Sequence, residues 1–354
     1  MILRQKNTNP IAFGLMFGAV HLLVDMVTVS TAFAVTKIYD VSQLWGISVV
    51  VLYDILAFAG QPIIGWFSDR KEVYRATAAV GVVIAALSVP VLSVNPLLGL
   101  VLTGLGNACF HVGAGALSLC VTPGRATVPG IFVAPGAIGL GLGTLMGKSG
   151  SYDSWAFIIA LGASFLLTLL YPMPQVLLRP RKLLLPSLHA TWIVAALLVS
   201  IVIRALVGFG GSYNCTKTFA IKMGLMTVAV LGKGLGGVVS DRIGWLPASV
   251  GALVISAPLI AFGGSEPLWL LAGFLFFQMT MPVTLVAVTE VMPGRPGLAF
   301  GLCCLALLAG ALLAFSGTVQ SAYSSVFFLV LILFSATLVW VSLKGLQGKI
   351  PMKF

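Results

Sequence analysis

Charge is what this chain has least of. Only 8% of its 354 residues are Asp, Glu, Lys or Arg, and just nine are acidic. Soluble domains carry roughly 25%. With 59% hydrophobic residues and a mean hydropathy of +1.09, a water-soluble fold would leave large apolar patches uncovered. Long polar segments are missing as well, so no room remains for a nucleotide-hydrolysing domain. An ATP-driven pump is therefore not expected. Histidine is limited to three positions and cysteine to five. Cys109, Cys120, Cys215, Cys303 and Cys304 lie in or beside apolar runs without metal-site spacing and read as packing residues. No metal site, bound cofactor or nucleophile–base set is expected, which argues against an enzyme.

What remains is a series of apolar runs, each near the ~20 residues that span a bilayer. Cuts at charges, prolines and turn residues give runs near 11–34, 43–67, 74–94, 96–121, 127–148 and 153–173. A second set lies near 190–212, 218–239, 245–264, 267–291, 297–318 and 322–344. The expected fold is an all-α integral membrane protein of twelve transmembrane helices in two six-helix bundles. Residues 1–173 form the first bundle, 174–189 a cytoplasmic linker and 190–354 the second bundle. The first run is too long for a signal peptide and ends without a cleavage site. With the N-terminus inside, fourteen of the twenty basic residues fall on the cytoplasmic side, including Arg4, Lys6, Arg179, Arg181, Lys182, Lys349 and Lys353. The net charge of +11 therefore reads as retained cytoplasmic loops of a plasma (inner) membrane protein, not as a nucleic-acid footprint.

The chain also repeats itself. Ser68-Asp69-Arg70 recurs 172 residues later as Ser240-Asp241-Arg242, and Pro123-Gly124-Arg125 recurs 170 residues later as Pro293-Gly294-Arg295. Twin charged motifs at breaks between apolar runs, half a chain apart, indicate a duplicated transporter. A carboxylate at a helix end can cap a neighbouring helix N-terminus, and nearby arginines can pair with it. Asp69, Arg70, Asp241, Arg242, Arg125, Arg295 and Glu290 are accordingly expected to form a cytoplasmic gate. This is similar to the signature loop of the major facilitator superfamily, in both halves.

Charges inside the apolar runs are functional candidates because burying them is costly. His21 and Asp25 share one face of the first helix at i,i+4. Desolvation favours a protonated carboxyl and a cationic neighbour an ionised one, a tension that suits a proton carrier. Asp25 is the first candidate for proton coupling, Asp54 in the second helix the second, with His21 in support. His111 in the fourth helix is more often a helix–helix hydrogen bonder than a proton carrier, and His111 and Asp25 are also candidate substrate contacts. Arg204, deep in the seventh helix, is either an anchor for an anionic substrate or the counter-ion of Asp25 or Asp54. Lys217 and Lys222 read as snorkelling residues. Gly143-Thr144-Leu145-Met146-Gly147-Lys148-Ser149 is one residue short of a phosphate loop and follows a helix, so it is rejected as one. Gly139, Gly143 and Gly147 instead form a small-residue packing stripe.

Several of these segments resemble one branch of that superfamily, the fosmidomycin resistance proteins. His21-Leu22-Leu23-Val24-Asp25-Met26 is similar to its H-L-L-x-D-M, and Gln61-Pro62 through Asp69-Arg70 to its Q-P…D-[KR] segment. Phe110-His111 matches its F-H pair, Arg204 falls where the branch carries a basic residue, and Glu290 through Gly301 resembles E-x-x-P-G-R-x-G-x-x-x-G. Val112, the missing glutamine after Phe132, and Asp54 depart from its pattern, so the substrate can differ. The resemblance implies a proton-coupled exporter of a small organic, potentially anionic, compound, working as a monomer by alternating access. Uptake of an organic anion is the alternative, and a non-transporting sensor or scaffold a weaker one.

Overall fold

The computed structural model describes residues 8–38, 43–150, 153–174, 187–210, 218–316 and 324–347. Among them the first half of the chain gives α1 (Pro10–Ile38), α2 (Gln43–Phe58), α3 (Gln61–Lys71), α4 (Tyr74–Val94), α5 (Pro96–Val121), α6 (Thr127–Val133), α7 (Gly136–Ser149) and α8 (Ser154–Leu170). The second half gives α9 (Ser187–Gly210), α10 (Phe219–Ile243), α11 (Trp245–Phe262), α12 (Pro267–Gln278), α13 (Thr280–Val291), α14 (Pro296–Phe315) and α15 (Ser325–Leu346). Most of the expected linker lies outside the described residues, as do Arg4, Lys6, Cys215, Lys217, Lys349 and Lys353.

Three expected runs are broken rather than continuous: α2/α3, α6/α7 and α12/α13. Proline accounts for the breaks. A proline at position i cannot donate to the carbonyl at i−4. Pro62 thus frees the carbonyl of Phe58, where α2 ends, and Pro282 frees that of Gln278, where α12 ends. Pro135 sits at the junction of α6 and α7. Taking each broken pair as one gives twelve helices. Eleven are long and apolar enough to cross a bilayer. The remaining one, α8, has 17 residues. It stops short of the expected 173 because Pro172 pushes Tyr171 into an extended conformation (ψ 130°). The chain is a multi-pass membrane protein.

The helices form two compact units. The first comprises Met1–Val121, Pro135–Leu178 and Arg295–Cys304; the second comprises Thr122–Ala134, Arg179–Gly294 and Leu305–Phe354. Each is mostly one half of the chain plus a short piece from the other half. In the first unit, α7 lies along α1 with its glycine stripe inward. A methyl group on Gly143 would come within 2.6 Å of the Met26 carbonyl oxygen, and one on Gly147 within 2.8 Å of that of Ser30. Ser30 Oγ donates to the Gly143 carbonyl at 3.1 Å, fixing the register of the pair. In the second unit, α9 packs on α15, where the buried hydroxyls of Ser200 and Ser335 meet at 2.8 Å.

Candidate functional site

The first unit buries a polar cluster between α1 and α5. His21 and Asp25 sit one turn apart on α1, with Nε2 of His21 3.1 Å from Asp25 Oδ2. From α5, His111 brings its Nε2 to 2.9 Å from His21 Nε2 and 3.5 Å from Asp25 Oδ1. Asn107, one turn before His111, donates from Nδ2 to Asp25 Oδ1 and to Thr28 Oγ1, both at 3.1 Å. Its backbone carbonyl lies 2.9 Å from His111 Nδ1. Tyr53 on α2 closes the network by donating to Thr28 Oγ1 at 3.1 Å. The two imidazoles, Asn107, Thr28 and Tyr53 are all buried.

Asp54 is adjacent in sequence but different in kind. It is half-buried in α2 and makes no hydrogen bond or ion pair among the described residues. Arg204 belongs to the second unit. It is buried in α9, donates from Nη2 to Thr284 Oγ1 at 2.8 Å and approaches the Ser200 carbonyl at 3.4 Å. Valine at Thr284 would remove that acceptor from a guanidinium that is 8% exposed. We expect Thr284→Val to cost about 2 kcal/mol of stability, measured as thermal unfolding in detergent, because a bond to a charged group is lost.

The twin motifs meet crosswise. Asp69, at the end of α3, accepts from the backbone N–H groups of Gly297 and Leu298, each at 2.8 Å, and from Tyr74 Oη at 2.9 Å. Those two N–H groups belong to the first turn of α14, which follows Pro293-Gly294-Arg295. Asp241, at the end of α10, accepts from Ala126 N at 2.8 Å, Thr127 N at 2.9 Å and Thr127 Oγ1 at 2.6 Å. These open α6, which follows Pro123-Gly124-Arg125. Each carboxylate satisfies donors that a helix start cannot satisfy itself, and it does so where the helix dipole favours negative charge. The turn glycines Gly124 and Gly294 have φ of +74° and +75°, a region closed to most other residues. Among the described residues Arg70, Arg125, Arg242 and Arg295 form no ion pair with either carboxylate. All four are exposed, and Arg70 lies over the Trp66 ring at 5.6 Å. Glu290 is half-buried at the end of α13.

Close approach makes the caps possible. One turn before Asp69 is Gly65, where a methyl group would overlap the Gly297 carbonyl; one turn before Asp241 is Gly237, where it would overlap the Ala126 carbonyl. The same Gly-x-x-x-Asp spacing therefore operates in both repeats.

Sequence reasoning missed three features. Asn107 has a recoverable signal, since it shares a face of α5 with His111 four residues on. Thr284 has none. Arg75 counts among ordinary loop charges in the sequence, yet it donates to the carbonyls of Thr168, Leu169 and Tyr171 at the end of α8, at 2.7 Å for the first and 2.8 Å for the last. It is the C-cap of that short helix, whose N-terminus Asp153 caps at Trp155 N and Ala156 N. Arg75→Ala is expected to destabilise the protein by about 2 kcal/mol, read as a lower unfolding temperature, since several carbonyls lose a charged donor.

No protein-family model matches the sequence, and no curated protein does. Solved structures do match. A variant of the E. coli fucose:proton symporter FucP aligns over 95% of this chain and 99% of its own, at 12% identity and a TM-score of 0.71. A structure of a major facilitator superfamily transporter, FucP, in the outward conformation gives 94%, 98%, 14% and 0.69. The human organic anion transporter MFSD10 gives 96%, 100%, 15% and 0.65. The fold is that of the major facilitator superfamily. The proteins that share it here are named as transporters.

Proposed function

We propose that this chain is a secondary transporter that exchanges protons for a small organic anion, exporting the anion by alternating access. Asp54 is the observation that carries the coupling: a carboxyl in a membrane helix, half-buried and without a partner among the described residues, is costly unless it works. Asp25, the stronger candidate in sequence, is held by two imidazoles and an amide, so we assign the travelling proton to Asp54. Arg204 is the anion contact, a buried guanidinium able to hold a carboxylate or phosphonate in two-pronged fashion. The export direction rests on the resemblance to the fosmidomycin resistance branch. The membrane is the plasma (inner) membrane with both termini cytoplasmic, on the positive-inside count. The caps at Asp69 and Asp241, with Arg70, Arg125, Arg242, Arg295 and Glu290 around them, act as the cytoplasmic gate.

The test is reconstitution in liposomes under an imposed pH gradient, screening organic anions and following internal pH. Substrate-driven proton flux is expected in the wild type and in Asp25→Asn, and to fall to background in Asp54→Asn. Flux lost in Asp25→Asn and retained in Asp54→Asn would move the coupling to α1. No proton movement with any transported substrate would end the coupling claim. Uptake by symport is the second reading, favoured by the likeness to a fucose:proton symporter. The sign of the pH change on adding substrate separates the two.

A further inference from the structure

His21, Asp25 and His111 converge more closely than a helix–helix hydrogen bond requires. The chain has three histidines, and two of them meet here across α1 and α5. The donor atoms of all three side chains lie within 4.8 Å of one another. The nearest edges between them are 2.9, 3.1 and 3.5 Å. Metal–ligand bonds of about 2.1 Å, set at roughly 90–109°, place neighbouring donors about 3.0–3.4 Å apart. The three distances lie in or beside that range, and the two carboxylate edges end on different oxygens, Oδ2 toward His21 and Oδ1 toward His111, so Asp25 would offer an ion both of its oxygens.

The protonation pattern agrees. The Asn107 carbonyl can only accept, so His111 Nδ1 carries its hydrogen, and in the neutral ring Nε2 presents a lone pair toward Asp25 and His21. An imidazole N–H fixed on a backbone carbonyl is the usual support of a metal-bound histidine. Asn107 supports a second donor as well, since its Nδ2 holds Asp25 Oδ1. Its own Oδ1 is buried without a hydrogen-bond partner among the described residues. On the open side stands Gly136 of α7. A methyl group there would sit 2.5 Å from His21 Nε2 and 2.9 Å from Asp25 Oδ2, so the glycine keeps clear the space these donors face.

We propose that His21, Asp25 and His111 bind one divalent transition-metal ion. Two imidazoles and one carboxylate suit zinc, cobalt or nickel better than magnesium or calcium, which prefer all-oxygen shells. Bound there, the ion ties α1 to α5. Binding is measured without transport, so this inference and the transport reading stand or fall separately.

The experiment uses the full chain, purified in detergent with any affinity tag removed. Cobalt(II) is titrated and followed by its visible absorption, then displaced by zinc(II). The expected result is one saturable site per chain. His111→Ala and Asp25→Asn should weaken it at least about 100-fold. His189→Ala and Asp54→Asn should bind as the wild type does. X-ray absorption of the zinc-loaded wild type needs no variant, and should report two imidazoles plus oxygen ligands at about 2.0–2.2 Å. The proposal is overturned by absence of saturable binding, by an unchanged dissociation constant in His111→Ala, or by a zinc shell with fewer than two imidazoles.

Discussion

Leucine at Gly65 or at Gly237 is expected to abolish the substrate-driven flux proposed above and to lower the unfolding temperature more than any other single change described above. The reason is backbone contact. Even a methyl group at either position overlaps a main-chain carbonyl, of Gly297 in one unit and of Ala126 in the other. Main chain in the first turn of a helix cannot swing aside as a side chain can. The helix start must retreat, and the cap retreats with it. Hydrogen bonds now at 2.8–2.9 Å would open beyond about 3.5 Å, where they no longer count. Overpacking of this kind costs about 1–3 kcal/mol before the lost cap is added. Thermal unfolding of the purified variants and uptake into liposomes check both halves of the expectation. A Gly65→Leu protein with unchanged melting and flux would show that the contact carries no weight.

Asp69→Ala and Asp241→Ala come next. Each removes a carboxylate that accepts three hydrogen bonds, two of them from helix-start N–H groups. A charged acceptor is worth about 1.5–3 kcal/mol per bond, and the donors left behind are buried or half-buried. We expect a loss of about 3–5 kcal/mol for either variant, with asparagine recovering part of it because it still offers one oxygen. A double-mutant cycle is the sharper readout. Gly65 and Asp69 serve the same contact, so Gly65→Ala and Asp69→Ala combined should destabilise by clearly less than the sum. Full additivity would mean that the glycine and the carboxylate act on different things.

Much of this was legible in the sequence, though not all for the same reason. The helices follow from runs of apolar residues, a signal repeated over some twenty positions each time. The breaks do not. Pro62, Pro135 and Pro282 interrupt their helices while Pro90 and Pro258 lie within continuous ones. Which proline breaks its helix depends on tertiary surroundings, and a single sequence does not contain that information. The twin motifs announced the capping role of their carboxylates. Their partners stayed hidden, because an offset pairs like with like, whereas the fold pairs each Ser-Asp-Arg with the Pro-Gly-Arg of the opposite half. His21 and Asp25 were visible as an i,i+4 pair. His111 joining them depends on how α1 and α5 pack, which no local spacing encodes.

The borrowed pieces carry a consequence for the gene. Thr122–Ala134 is encoded in the first half and completes the second unit, while Arg295–Cys304 is encoded in the second half and completes the first. A gene cut at the linker would yield two polypeptides, each lacking the helix start that its own Gly-x-x-x-Asp motif needs.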